Sequence, residues 1–132
     1  MADSTIEPTP DQMKTLFSST DEGPVVMLNL LRYLDVASDG SGRSGREAYN
    51  DYSASVLPMV ASRGGSIVYF GSASETVIGP ADEQWHDLVL VMYPNRAAFI
   101  DMTTSTEYLA IMGDRTAALA DSRLIPTTQL GL

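Results

Sequence analysis

The sequence predicts an α+β domain, with a four-stranded antiparallel sheet in the strand order 4-1-3-2, helices on one face and a short helix in front. Three observations predict it. Residues 25–32 and 88–93 are apolar at both parities, the pattern of strands covered on both faces. The elements follow the order strand, helix, strand, strand, helices, strand, which is βαββαβ, the ferredoxin-like arrangement. Right-handed crossovers then make strands one and three central, and these are the two doubly apolar strands.

The elements justify themselves in turn. Thr9-Pro10-Asp11-Gln12 is a capping box with proline at the first helical position, and Met13, Leu16 and Phe17 give this leading helix one apolar stripe. Asp21-Glu22-Gly23-Pro24 is a break, so residues 1–22 form a helix and lead-in and residues 23–132 the single ferredoxin-like domain. In the first strand (25–32) Asn29 is the one polar interruption. Either it pins the strand to a neighbouring loop or it points into a wet cavity, because a buried amide without partners costs about 1–3 kcal/mol.

Ser44-Gly45-Arg46-Glu47 is a second capping box, and the helix it opens carries Tyr49, Tyr52, Val56, Met59 and Val60 on one face. Pro58 predicts a kink or a break after Leu57. Arg63-Gly64-Gly65 ends the helix. Residues 66–71 form strand two, with Gly71 a candidate bulge, and Gly79-Pro80-Ala81 turns the chain into strand three. Asn95 caps the next helix, and Thr104-Ser105-Thr106-Glu107 opens another that runs through Leu119. Residues 123–127 are a last strand whose Pro126 suits an edge.

The loop 40–45, Gly-Ser-Gly-Arg-Ser-Gly, spells G-x-G-x-x-G. The dinucleotide reading fails. The glycines begin well past the strand end, no acid closes the following strand, and the chain is too short for a doubly wound sheet. A flexible loop is expected instead.

Composition narrows the function classes. Of the 132 residues 17 are acidic and 8 basic, a formal charge of −9, which argues against nucleic acid and against anionic membrane surfaces. There is no cysteine, so disulfides, thiol nucleophiles and thiolate metal sites are excluded. The start of the chain is acidic and lacks the pattern of a signal peptide, and no apolar run approaches the ~20 residues of a membrane span. A cytoplasmic protein is expected.

The chain resembles the domain-of-unknown-function family numbered 1330, within the dimeric α/β-barrel superfamily. The carrying residues are Val26-Met27-Leu28-Asn29-Leu30-Leu31, Tyr49 and Tyr52, Gly64-Gly65, Gly71, Trp85 with Asp87, Tyr93 to Phe99, Tyr108, Arg115, and Asp121 to Ile125. The resemblance covers residues 23–126. It implies a ferredoxin-like fold and a homodimer whose sheets face each other, and no settled activity. Superfamily relatives include cofactor-independent monooxygenases, lactone isomerases, polyketide cyclases and haem-binding enzymes.

The chemically able side chains gather at the head of strand three. Trp85 and Asp87 should share one face and His86 the other, so His86 and Asp87 cannot form a dyad in a regular strand. Asp87, beside the only Trp and entering an apolar strand, is the candidate base, with His86 the other acid/base candidate. The alternative is a structural ion pair between Asp87 and Arg115, which projects from an apolar helix face. Asn29 and Arg115 are candidates to steady an oxyanion, and Trp85, Tyr52 and Tyr69 to line a pocket. One His with scattered acids makes no metal set, so neither metal nor cofactor is expected.

The function these residues suggest is a small cofactor-independent enzyme, of isomerase, cyclase or monooxygenase type, that abstracts a proton from an apolar or aromatic carbonyl or phenolic metabolite. The rival is a non-catalytic dimer that binds a small ligand or serves as an interaction module. Either way, the two doubly apolar strands call for a homodimer through the helix-free sheet face.

Overall fold

The computed structural model describes residues 5–131; the acidic start at residues 1–4 and the last residue lie outside the described residues. Elements follow in the order α1 (Pro10–Phe17), β1 (Val25–Tyr33), α2 (Gly45–Ser62), β2 (Ser66–Ser72), β3 (Asp87–Tyr93), α3 (Arg96–Thr103), α4 (Thr106–Ala118) and β4 (Leu119–Thr127). The four strands form one sheet in the order β2-β3-β1-β4, all neighbours antiparallel. This is the expected ferredoxin-like order, with the two doubly apolar strands in the middle.

Register fixes the two faces. Val25, Met27, Leu31 and Tyr33 of β1 and Asp87, Val89 and Tyr93 of β3 are buried beneath the helices. The alternate residues, Val26, Leu28, Leu30, Leu88, Leu90 and Met92, lie on the helix-free face and are only half-buried. Pairing places Tyr69 beside Leu90 and Ile125 beside Leu28 on that same face, 54% and 48% exposed. The result is a continuous apolar surface without cover from the described residues.

Local chemistry explains the boundaries. Thr9 and Ser44 each close a capping box, with Gln12 and Glu47, and Asn95 caps α3 by accepting from the Ala98 amide. α4 is capped by Ser105, which accepts from the Tyr108 amide. The expected box with Glu107 therefore does not form, because Thr104 still belongs to the end of α3. α2 runs unbroken through Pro58. The carbonyl that proline leaves unpaired belongs to Ala54, and both residues face water, which supplies the missing partner. β4 starts at Leu119, directly from α4, four residues earlier than the sequence suggested. The bulge in β2 falls at Val68, between Ile67 and Tyr69, while Gly71 makes room for the Tyr69 ring above it.

The glycine-rich loop is tied down rather than free. Arg43 bonds Asp39 at 2.6 Å, Asp51 of α2 at 2.7 Å and Asp114 of α4 at 3.1 Å. Its carbonyl also accepts from the Ala37 amide. Where the loop ends, a Cβ on Gly45 would collide with the Leu34 and Ala118 carbonyl oxygens, so only glycine lets α2 start this close to the α4–β4 junction.

Candidate functional site

A cavity of about 100 Å³ lies between α2 and the sheet. Met27, Asn29, Val89 and Val91 form its floor on β1 and β3. Tyr49, Tyr52, Ser53, Val56 and Val60, at the 3- and 4-residue spacings that put side chains on one helix face, form its roof. Its rim is Leu57 of α2 with Ile67 and Phe70 of β2, all exposed, so the cavity opens where α2 stops covering the edge strand.

Polar groups in this apolar space are few. Asn29 donates from Nδ2 to the carbonyls of Met27 and Val89, both at 3.3 Å. The Tyr52 hydroxyl is bonded to that of Tyr108 at 2.9 Å. The Tyr49 hydroxyl has no partner among the described residues, and burial pushes its ionisation up to about 12. Tyr52 and Tyr93 are also held above the usual phenol range, chiefly by burial. All three phenols therefore stay protonated at neutral pH and can donate, not abstract, a proton.

Asp87 lies at the end of β3, outside this cavity's lining, and is 1% exposed. Its Oδ2 accepts from the Tyr33 hydroxyl at 2.7 Å and from Arg46 Nη1 at 2.8 Å. Arg46 lies over the Tyr33 ring, 4.6 Å from its centroid, and its side chain is 53% exposed. Burial, followed by the bond to Asp87, raises the Tyr33 hydroxyl far above its ordinary range. His86 Nδ1 accepts from the Tyr33 amide at 2.9 Å, which fixes the neutral ring as the Nε2–H tautomer. Its ring is stacked on Tyr33 at 5.7 Å. His86 and Asp87 do not form a dyad; both grip Tyr33.

The other candidates go elsewhere. Arg115 is not the partner of Asp87: it donates to the Ile6 carbonyl at 2.6 Å and reaches Ser122 Oγ at 3.4 Å, holding the N-terminal segment against α4 and β4. Trp85 does not share a face with Asp87. Its ring lies 5.0 Å from the Arg123 guanidinium carbon, and Arg123 pairs with Leu30 on the helix-free side. The regular strand begins only at Asp87, so alternation does not extend back to Trp85. Tyr69 is on the helix-free face over Gly71. Among the expected residues the structure brings Asn29 and Tyr52 together in one cavity, and His86 and Asp87 together at Tyr33.

Sequence reasoning missed Tyr33 and Arg46. The signal was there in the topology: β1 ends, α2 starts and β3 starts at the same end of the sheet. Among the described residues there is no group of three or more His, Cys, Asp or Glu side chains able to hold a metal ion, and no helix long and apolar enough to cross a membrane.

The family model described as a domain of unknown function, DUF1330, matches residues 44–127. The chain belongs to the DUF1330 family. No curated protein matches this DUF1330 chain. Among solved structures, a protein of unknown function from Rhodopseudomonas palustris is 34% identical over 98% of this chain and 99% of its own, with a TM-score of 0.93. A dimeric ferredoxin-like protein of unknown function from Thermobifida fusca is 13% identical, covering 85% and 96%, with a TM-score of 0.52. SnoaB, a cofactor-independent oxygenase from Streptomyces nogalater, is 13% identical, covering 83% and 96%, also with a TM-score of 0.52. At those identities the last two likenesses bear on the fold alone.

Proposed function

We propose that this protein is a cytoplasmic homodimer that binds a small, largely apolar aromatic molecule with a carbonyl or phenolic oxygen in the cavity between α2 and the sheet. The observation that carries this reading is the cavity itself: apolar walls, few polar groups, and a rim of exposed Leu57, Ile67 and Phe70. A dry apolar cavity of about 150 Å³ takes benzene; one of about 100 Å³ with an open rim suits a ring whose substituents reach outward. The dimer reading rests on the uncovered apolar face of the sheet, and the Thermobifida fusca protein of the same fold is described as dimeric.

The test is thermal unfolding with small aromatics such as phenol and toluene, in the wild type and in Val56→Phe, which fills the cavity. The reading expects a rise in Tm that grows with ligand concentration and is absent in the variant. No rise in the wild type at any concentration would sink it.

A second reading is proton-abstraction chemistry without a cofactor, as expected of an enzyme. The observation in its favour is that Asp87 has one partner, Arg46, that is half in water and can swing away. Asp87 would then act as base beside Tyr33, with His86 as the second acid/base group, and Arg46 would take the role expected of Arg115. The fold shared with a cofactor-independent oxygenase fits this reading. Deuterium exchange from enolisable aromatic ketones, lost in Asp87→Asn, tests it; exchange no faster than in buffer counts against it.

A further inference from the structure

The cavity floor is polarised in one direction only. Asn29 has two Nδ2 protons, and two main-chain carbonyls, of Met27 and Val89, stand 3.3 Å from that nitrogen. Flipping the amide would set Oδ1 against two carbonyl oxygens, so the hydrogen-bond network settles the orientation. What remains is Oδ1, which has no donor among the described residues and is not sealed from a water-sized molecule. The strand thus spends the donor edge of Asn29 on itself and leaves the acceptor edge to the cavity. The surrounding floor, Met27, Val89 and Val91, offers no competing side-chain polar group.

From this we infer that Asn29 makes the cavity selective for hydroxyl donors: small phenols and enols, rather than aldehydes, ketones or ethers of the same size. The inference rests on the small-molecule reading of the cavity and names the ligand class within it. A phenol donates its O–H to Asn29 Oδ1 and places its ring against Met27, Val56 and Val89. Its oxygen lone pairs can accept from the Tyr49 hydroxyl, which is unpartnered among the described residues and belongs to a residue only 7% exposed. A carbonyl or ether oxygen in the same place meets Oδ1 acceptor to acceptor, and the amide oxygen stays unpaired. A site built to pair a hydroxyl rejects analogues that lack it more strongly than an apolar pocket rejects a change of size. Asn29 is therefore a specificity-determining residue and does not steady an oxyanion, since both of its donors are engaged.

The experiment is NMR titration of the full chain with phenol, toluene, anisole and benzaldehyde, in the wild type, Asn29→Leu and Asn29→Thr. Phenol should bind about ten-fold tighter than the other three, the worth of one net hydrogen bond. Asn29→Leu should erase the preference by weakening phenol and strengthening toluene. Asn29→Thr, which keeps a strand-compatible shape and an acceptor oxygen, should retain part of it if the leucine variant does not fold. Equal affinities for phenol and toluene, or a phenol preference unchanged in both variants, would overturn the inference and leave the cavity reading standing. Binding of none of the four would overturn both.

Discussion

Replacing Asp87 with Asn tests whether this carboxylate is clamped or poised. In the wild type it is 1% exposed, and one oxygen accepts both Tyr33 Oη at 2.7 Å and Arg46 Nη1 at 2.8 Å. An Asn at this position can still accept from Tyr33, but it cannot neutralise Arg46, and its amide protons turn toward a cation or toward apolar wall. Losing one partner of a fully buried ion pair costs about 3–5 kcal/mol. Arg46 is 53% exposed, so water recovers much of its charge when the partner goes. The loss is then closer to that of a charged hydrogen bond, about 1.5–3 kcal/mol. Urea unfolding at pH 7 reads it as a lower midpoint with an unchanged slope. Arg46→Ala should cost more, toward about 3–5 kcal/mol, because it leaves the buried carboxylate without its cation, and the double variant should cost less than the sum of the two, because the residues are in contact. A change within about 0.5 kcal/mol for Asp87→Asn, the size of an ordinary surface substitution, would refute the clamp and favour a carboxylate held ready for chemistry.

Three further outcomes follow from particular contacts. Arg43→Ala should leave the fold intact but speed amide exchange in residues 38–45, because three carboxylates lose the cation that gathers them; unchanged exchange would mean that the glycine turns alone hold the loop. Burial raises the phenols of Tyr33, Tyr49, Tyr52 and Tyr93 in the folded state above the ordinary value near 10. Their contribution is complete below about pH 10 and is lost as pH rises further, so the share of tyrosinate absorbance that belongs to these four should appear together with loss of helical circular dichroism; full tyrosinate absorbance before unfolding would contradict this. For Asp121, burial pushes the carboxyl up, but bonds from the Thr5 and Ser122 amides and Arg123 outweigh it and hold it below the usual range. Its contribution is therefore full above about pH 4 and falls away as pH drops through the lowered value, with the amide of Thr5, which donates to that carboxylate, expected to lose protection first.

The sheet was legible because double apolarity is a burial signal that survives without a structure. Residues 25–32 and 88–93 read as central, and Pro126 suits an edge, where β4 lies. Caps were legible for the same local reason, except where Thr104 and Ser105 offered two adjacent hydroxyls and the end of α3 took the first. The site was read less well. Alternation placed Trp85 with Asp87, but alternation holds only inside the ladder, and the ladder starts at Asp87. Arg115 looked awkward on an apolar helix face because its partner, the Ile6 carbonyl, is main chain and invisible to side-chain reasoning. Pro58 predicts a kink or a break, and the break does not occur, because its cost depends on whether the Ala54 carbonyl faces water, which is a tertiary fact. The cavity itself depends on how far α2 reaches toward β2, and no residue pattern encodes that distance.

The most direct measurement is a map of amide chemical-shift changes in ¹⁵N-labelled protein on titration with phenol. The account predicts saturable shifts at Met27, Asn29, Tyr49, Tyr52, Val56 and Val89, the floor and roof of the α2–sheet cavity. Saturable shifts centred instead on Trp85, Arg123 or Arg46, or no saturable shifts at all, would contradict it.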